Sequence, residues 1–120
     1  MQNQKSALGL DGNVTALIGY PIGIVALILV FIEKDNKFVR FHAFQSILFW
    51  AAVFVIYIIL GIFTGILFAV STTLGGLFTM LFGLIGLAVF AAMIFLAFKA
   101  YQGQMFKLPI IGDMAEKYSN

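Results

Sequence analysis

The sequence has no cysteine, one histidine, one tryptophan and only five acidic residues. Without cysteine, disulfide bridges and thiolate metal sites are excluded. Charged residues make up 10% of the chain, whereas a soluble domain usually carries about 25%. The shortage of charge argues against an ordinary water-exposed domain, and it excludes the clustered basic surface of a nucleic-acid-binding protein.

Apolar residues take the place of the missing charge. Hydrophobic residues make up 62% of the 120 positions, phenylalanine occurs 14 times, and the mean hydropathy is +1.08. This composition predicts an all-α integral membrane protein in contact with a lipid bilayer. The length predicts a single membrane domain over residues 1–120.

Long uncharged runs predict three transmembrane helices. The run over residues 14–32 is long enough to cross a hydrocarbon core of about 30 Å, and it exceeds the apolar region of a signal peptide, about 7 to 15 residues. The uncharged stretch that follows His42 is too long for one span. The turn sequence STTLGG divides it and predicts a second span over residues 46–70 and a third over 77–98.

The GYPIG motif interrupts the first predicted span. Pro21 removes a backbone donor, so we expect a kink in the helix. Gly19 and Gly23 are four residues apart on one face. This pattern is consistent with close helix packing or with a functional hinge.

Small residues recur at a spacing of four in the second and third predicted spans. Gly61 and Gly65 lie in the second, and Gly75, Thr79 and Gly83 lie at the start of the third. Small residues let helix backbones approach closely in lipid. Because the turn is short, we expect the two small-residue faces to meet each other; the alternative is a subunit interface.

The basic residues predict an orientation in the membrane. Only Lys5 precedes the first predicted span, whereas the other six Lys and Arg residues lie in the loop that follows it or in the tail over residues 99–120. The positive-inside rule then predicts a multi-pass protein of the cell membrane with an outside N-terminus and a cytoplasmic interfacial tail. This bias, and spans without Asp or Glu, argue against a proton-coupled small multidrug exporter.

The segment FVRFHAFQS predicts a cytoplasmic interfacial helix over residues 36–46, between the first and second spans. The Asp-Asn pair at 35–36 can cap this helix. Phe38 and Phe41 share one face, which we expect to dip into the acyl boundary, while Arg40 reaches lipid phosphates.

His42 and Gln45 are neighbours on that predicted helix, because they are three residues apart. They are consistent with hydrogen bonds to each other or to a carbonyl, with a pH sensor, or with a contact to a partner protein. A lone histidine without a carboxylate set does not predict a metal site.

The tail forms a second predicted interfacial segment on the same membrane side. Pro109 and Gly112 break the sequence LPIIGD. We expect Asp113 to accept a hydrogen bond from His42 or Arg40 and so to tie the tail to the interfacial helix. Together the two segments are consistent with a partner platform or with simple anchoring.

Three segments carry a resemblance to a known family: DGNVTALIGYPIG, EKDNKFVRFHAFQS and AYQGQMFKLPIIGDMAEKY. They resemble the signature blocks of a family of small prokaryotic membrane proteins of unknown function. That family is similar to the twenty-kilodalton Tic subunit, a protein-import component of the chloroplast inner envelope. The resemblance singles out Phe38, Arg40, Phe41, His42, Gln45, Pro109, Gly112 and Asp113.

These observations predict a non-enzymatic subunit or accessory of a larger membrane complex, with the bilayer and an unknown membrane protein as partners. Protein translocation is the process that the resemblance implies. The alternative is a pore or carrier formed by a homo-oligomer. No serine or threonine has a recognisable histidine and acid partner, so we expect no enzyme, and we expect neither a cofactor nor a nucleic-acid partner.

Overall fold

A computed structural model of the chain describes residues 4–119. The regular structure of these residues is helical, apart from an isolated bridge between Lys5 and Asp11. The helices in chain order are α1 Gly12–Gly19, α2 Gly23–Ile32, α3 Lys37–Val70, α4 Thr72–Tyr101 and α5 Ile111–Ser119. The predicted all-α class is thus confirmed for the described residues.

The first apolar run folds as two short helices. α1 ends at Gly19 and α2 begins at Gly23, because Pro21 lacks a backbone N–H and Ile22 is extended, with φ −116° and ψ 89°. At about 1.5 Å per residue, α1 and α2 are about 12 and 15 Å long, roughly half of a hydrocarbon core. The predicted first span over residues 14–32 is therefore not confirmed, because neither helix alone is long enough to cross a bilayer.

The two ends of this helical hairpin come together at its base. The backbone N–H of Ala7 donates to the Glu33 carboxylate. The side-chain amide of Asn36 donates to the Gln4 carbonyl, with 3.2 Å between Nδ2 and O. The chain before α1 and the loop after α2 therefore lie side by side.

α3 merges two elements that the sequence analysis separates. Asn36 caps this helix, because its Oδ1 accepts from the N–H groups of Phe38 and Val39 at 3.1 and 3.3 Å. The helix then continues for 34 residues, or about 51 Å. The interfacial helix predicted over 36–46 and the span predicted over 46–70 are thus one helix, since neither glycine nor proline interrupts it at their junction.

α4 is 30 residues, or about 45 Å, long and includes the span predicted over 77–98. The turn between α3 and α4 consists of Ser71 alone and is shorter than expected, so Gly75 lies inside α4. The Ser71 Oγ accepts from the N–H of Leu74 at 3.4 Å. Gly103 follows the end of the helix with φ 80°, because glycine adopts left-handed conformations without a Cβ penalty.

The described residues form two compact units. One comprises residues 4–50 and 93–119 and contains every buried apolar side chain of the described residues, including Phe41 and Leu96. The other comprises residues 51–92, in the second half of α3 and the first part of α4, and its apolar side chains are mostly exposed. The single membrane domain stays a prediction.

The small-residue faces of α3 and α4 do not meet as predicted in the unit over residues 51–92. A Cβ on Gly61, Gly65 or Gly83 would have no neighbouring atom within 4 Å. The helices instead touch through Tyr57, whose ring lies 5.3 Å from that of Phe82 and whose hydroxyl donates to the Phe82 carbonyl at 3.0 Å. These three glycines therefore lie beside open space and not against the neighbouring helix.

The remaining small residues of α4 have local contacts. Gly75 lies directly against the ring of Phe68, so it accommodates an aromatic side chain. The hydroxyl of Thr79 donates to the Gly75 carbonyl at 2.9 Å, within the same helix. Neither residue forms the predicted small-residue interface with the glycines of α3.

Candidate functional site

A buried polar cluster joins the hairpin turn, α3 and the tail. Tyr20 follows α1, and His42 and Gln45 lie three residues apart on α3; all three are 0% exposed. The Tyr20 Oη lies 2.6 Å from His42 Nδ1, and Gln45 Nε2 donates to the Tyr20 Oη at 2.9 Å. Tyr20, which the sequence analysis did not select, therefore bridges the two predicted site residues.

The cluster also fixes the extended segment that follows α4. His42 Nε2 lies 2.9 Å from the carbonyl oxygen of Gln104. The Gln45 side chain donates to the Phe106 carbonyl at 2.8 Å and accepts from the N–H of Leu108 at 2.9 Å. The sequence prediction that His42 and Gln45 bond a carbonyl is confirmed, and these carbonyls belong to the tail.

The hydrogen-bond directions select one tautomer of His42. A carbonyl oxygen only accepts, so Nε2 carries the hydrogen and donates to Gln104. Nδ1 then accepts from the Tyr20 hydroxyl, whose oxygen accepts from Gln45. A proton added at Nδ1 would remove this acceptor and leave the Tyr20 hydroxyl hydrogen without its partner. The cluster is therefore complete with a neutral imidazole.

Two further α3 side chains hold the hairpin turn. Ser46 Oγ donates to the Gly19 carbonyl at 2.8 Å, and Trp50 Nε1 donates to the Tyr20 carbonyl at 2.9 Å. These carbonyls lie at the C-terminal end of α1, where the helix supplies no N–H partners. His42, Ser46 and Trp50 are four residues apart in succession, so one stripe of α3 faces the turn.

The two phenylalanines predicted to enter lipid lie in the protein interior. Phe38 and Phe41 are 2% and 0% exposed. Their rings meet the His42 ring edge-to-face, with centroid distances of 4.7 and 5.0 Å. The hairpin and the tail cover this face of α3, so the predicted lipid contact is corrected to a core contact.

Arg40 connects the C-terminal ends of α2 and α5, and Asp113 takes no part in this connection. Its guanidinium donates to the Glu33 carbonyl at 2.6 Å and to the Ser119 carbonyl at 3.3 Å, which places a cation at the C-terminal ends of α2 and α5. Asp113 is exposed and pairs with Lys107 at 3.8 Å. The predicted bond from Asp113 to His42 or Arg40 is therefore corrected: the tail is attached through backbone carbonyls.

Pro109 lies in the turn before α5, whereas Gly112 is the second residue of that helix and does not break it as predicted. Ile110, between them, has φ 66°. A Cβ on Gly112 would overlap the backbone of Lys107, so the close approach requires glycine. The Lys107 ammonium pairs with the Glu116 carboxylate, and this hydrogen bond raises the pKa of Lys107 above its usual 10.5.

The cluster directs its hydrogen bonds to the protein itself. Every buried side-chain nitrogen and oxygen in the described part of the chain has a hydrogen-bond partner. Between residues 4 and 119, no three His, Asp or Glu side chains lie close enough to hold a metal ion. The hydrogen bonds of this polar cluster connect the hairpin turn, α3 and the tail.

Comparisons with known proteins place this architecture in a family. A family model described as "Magnetosome magnetite crystal formation protein family" matches residues 5–115. The chain belongs to this family. The matched range includes the hairpin, both long helices and the tail segment that His42 and Gln45 hold.

Curated relatives of this family member are named as membrane proteins. A UPF0132 membrane protein of Methanocaldococcus jannaschii is 42% identical over 116 residues, which cover 96% of this chain and 94% of that protein. Another from the same organism is 34% identical over 113 residues, covering 93% and 73%. One from Archaeoglobus fulgidus is 32% identical over 108 residues, covering 88% and 92%. No solved structure matches the chain.

These findings confirm the coarser part of the predicted resemblance, a family of small prokaryotic membrane proteins of unknown function. They give no support to the expected relationship with the chloroplast Tic subunit. Tyr20, Ser46 and Trp50 of this family member are not among the site residues predicted from the sequence. The available signals were the break at Pro21, which frees carbonyls, and a polar stripe on α3 that supplies donors to them.

Proposed function

We propose that this family member is a non-enzymatic integral membrane protein that serves as a subunit or accessory of a larger membrane assembly. The apolar surface of α3 and α4 carries this proposal. In the unit over residues 51–92, Phe54, Leu87 and Val70 are 67%, 68% and 74% exposed. Such a continuous apolar surface requires lipid or another apolar protein surface as its cover.

The proposed topology has two crossings. α3 and α4 exceed the about 20 residues that a span needs, whereas α1 and α2 each reach about half-way. Both chain ends then lie on one side and Ser71 lies on the other. All seven Lys and Arg residues lie outside residues 41–98, so the positive-inside rule supports cytoplasmic ends. This proposal replaces the outside N-terminus of the sequence analysis.

An assembly subunit is favoured over a self-made pore by the polar groups of the unit over residues 51–92. Thr64 and Thr79 donate to carbonyls of their own helices, and Tyr57 donates to the Phe82 carbonyl. A pore would need such groups aligned along a water-filled path. The homo-oligomeric pore or carrier stays the alternative.

The uncovered glycine faces provide the test. We expect Gly65→Leu to abolish recovery of the partner from native membranes, because a large side chain would hold a neighbouring helix away. The melting temperature of the isolated chain should not fall, since the new side chain enters open space. Gly65→Ala keeps the residue small and is the matched control. Recovery of the wild-type chain as a lone monomer from native nanodiscs would contradict the proposal.

A further inference from the structure

A basic cavity lies where α2, the start of α3 and the end of α5 meet. Its volume is about 420 Å³, and its lining consists of Val30, Phe31, Lys34, Lys37, Arg40 and Ser119. Three of these six side chains are cationic, and none is a carboxylate. The cavity therefore presents concentrated positive charge beside apolar side chains.

The two lysines of this basic cavity have no acidic side chain as a partner in the described part of the chain. Lys34 and Lys37 are exposed, and neither takes part in an ion pair among residues 4–119. The nearest acid in sequence to both, Asp35, does not line the cavity, and the Glu33 carboxylate is buried and accepts from backbone N–H groups. Two free ammonium groups thus face one open cavity.

Arg40 connects the helix ends that border this basic cavity. Its guanidinium donates to the carbonyls of Glu33, Val30, Tyr118 and Ser119. These bonds hold the ends of α2 and α5 at a fixed separation on either side of the cavity. The lysines are consequently presented on a framework that the protein has already ordered, which lowers the entropy cost of binding.

The apolar rim distinguishes a lipid from a soluble anion. Phe31 on the cavity wall is 72% exposed, and the exposed side chains of Ile24 and Leu27 continue the apolar surface along α2. An acyl chain can lie along this surface while the phosphate lies between the two ammonium groups. Free phosphate would make no use of these apolar side chains.

We propose that the cavity formed by Val30, Phe31, Lys34, Lys37, Arg40 and Ser119 is a binding site for the phosphate headgroup of an acidic phospholipid. The site deepens the proposed function, because it rests on the ends of the chain lying at headgroup level. A bound acidic lipid would hold the hairpin base and the end of α5 at the membrane surface. This would hold the polar cluster at a defined depth in the bilayer.

Native mass spectrometry of the full chain in detergent tests this site. Phosphatidylglycerol and phosphatidylcholine are titrated separately onto the wild type, the double variant Lys34→Gln/Lys37→Gln, and the control Lys99→Gln/Lys117→Gln. The control removes the same charge outside the cavity lining. We expect the first double variant to bind phosphatidylglycerol about 30-fold more weakly than the wild type, or ~2 kcal/mol, from about 1 kcal/mol for each basic residue near an anionic surface. The control should bind like the wild type.

Each other outcome has a defined meaning. Equal binding of the two lipids, or equal weakening in both double variants, would overturn the site. Competition by glycerol phosphate as strong as that by phosphatidylglycerol would assign the cavity to a soluble phosphate and overturn the lipid. If a variant fails to fold, the salt dependence of lipid binding by the wild type is the test. Its preference for phosphatidylglycerol over phosphatidylcholine must decline as salt is raised, and a preference that does not change with salt would overturn the site. Binding in detergent does not depend on topology, so failure here leaves the proposed crossings to their own test.

Discussion

Gln45 both donates to and accepts from the backbone of the tail, so we expect its replacement to destabilise the protein. Gln45→Leu keeps a similar volume but removes the donor to the Phe106 carbonyl and the acceptor for the Leu108 N–H. Each buried polar group left without a partner costs about 1–3 kcal/mol. Two such groups would cost about 2–6 kcal/mol, and partial exposure of the tail to water favours a loss of about 3 kcal/mol.

The assay is the free energy of unfolding in mixed micelles, combined with hydrogen exchange of the Leu108 amide. The exchange measurement separates local release of the tail from global unfolding. Gln102→Leu is the matched control, because Gln102 is exposed and such substitutions usually change stability by less than about 0.5 kcal/mol. A Gln45→Leu variant as stable as this control, with unchanged Leu108 exchange, would refute the role of the polar cluster.

Two further predictions concern the packing of α5 against the segment that precedes it. Gly112→Ala should destabilise the packing of α5 by about 1–3 kcal/mol, because the added Cβ meets the Lys107 backbone. Gly76→Ala is the control, because its Cβ enters open space and should not lower the stability. Equal melting temperatures of the two variants would contradict the close packing at Gly112. Because the folded-state pKa of Lys107 is raised, the contribution of its pair with Glu116 is complete below pH 10.5 and is lost only as pH rises through the raised value. The anisotropy of a fluorophore on Met114→Cys should therefore stay constant from neutral pH to 10.5 and fall above it, and a Lys107→Gln background should lack that fall.

The long apolar helices could be predicted from the sequence because their signal is compositional. The spans predicted over residues 46–70 and 77–98 lie inside α3 and α4, and Asn36 and Ser71 mark ends that the sequence indicates. Hydropathy counts apolar residues, however, and cannot distinguish one long helix from two short helices of equal composition. Pro21 was read as a kink, whereas it separates two helices.

The polar cluster could be predicted only in part, because its partners are distant in sequence. His42 and Gln45 were identified from their unusual polarity, but their partners are tail carbonyls about sixty positions away, and a carbonyl has no sequence signature. Phe38 and Phe41 were assigned to lipid because an amphipathic face looks the same whether lipid or protein covers it. The Asp113 prediction failed because Asp113 pairs with Lys107, six residues before it in the chain.

Accessibility of single cysteines in intact cells tests the central claim, a half-crossing hairpin followed by two full spans. Exposed positions before α1, at the α3–α4 turn and on α5 are Ala7, Thr72 and Met114, and each would be replaced by cysteine in turn. A membrane-impermeant maleimide should label Thr72→Cys from outside and leave Ala7→Cys and Met114→Cys unlabelled until the membrane is opened. Labelling of Ala7→Cys and Thr72→Cys together, with Met114→Cys protected, would restore three crossings and contradict the hairpin.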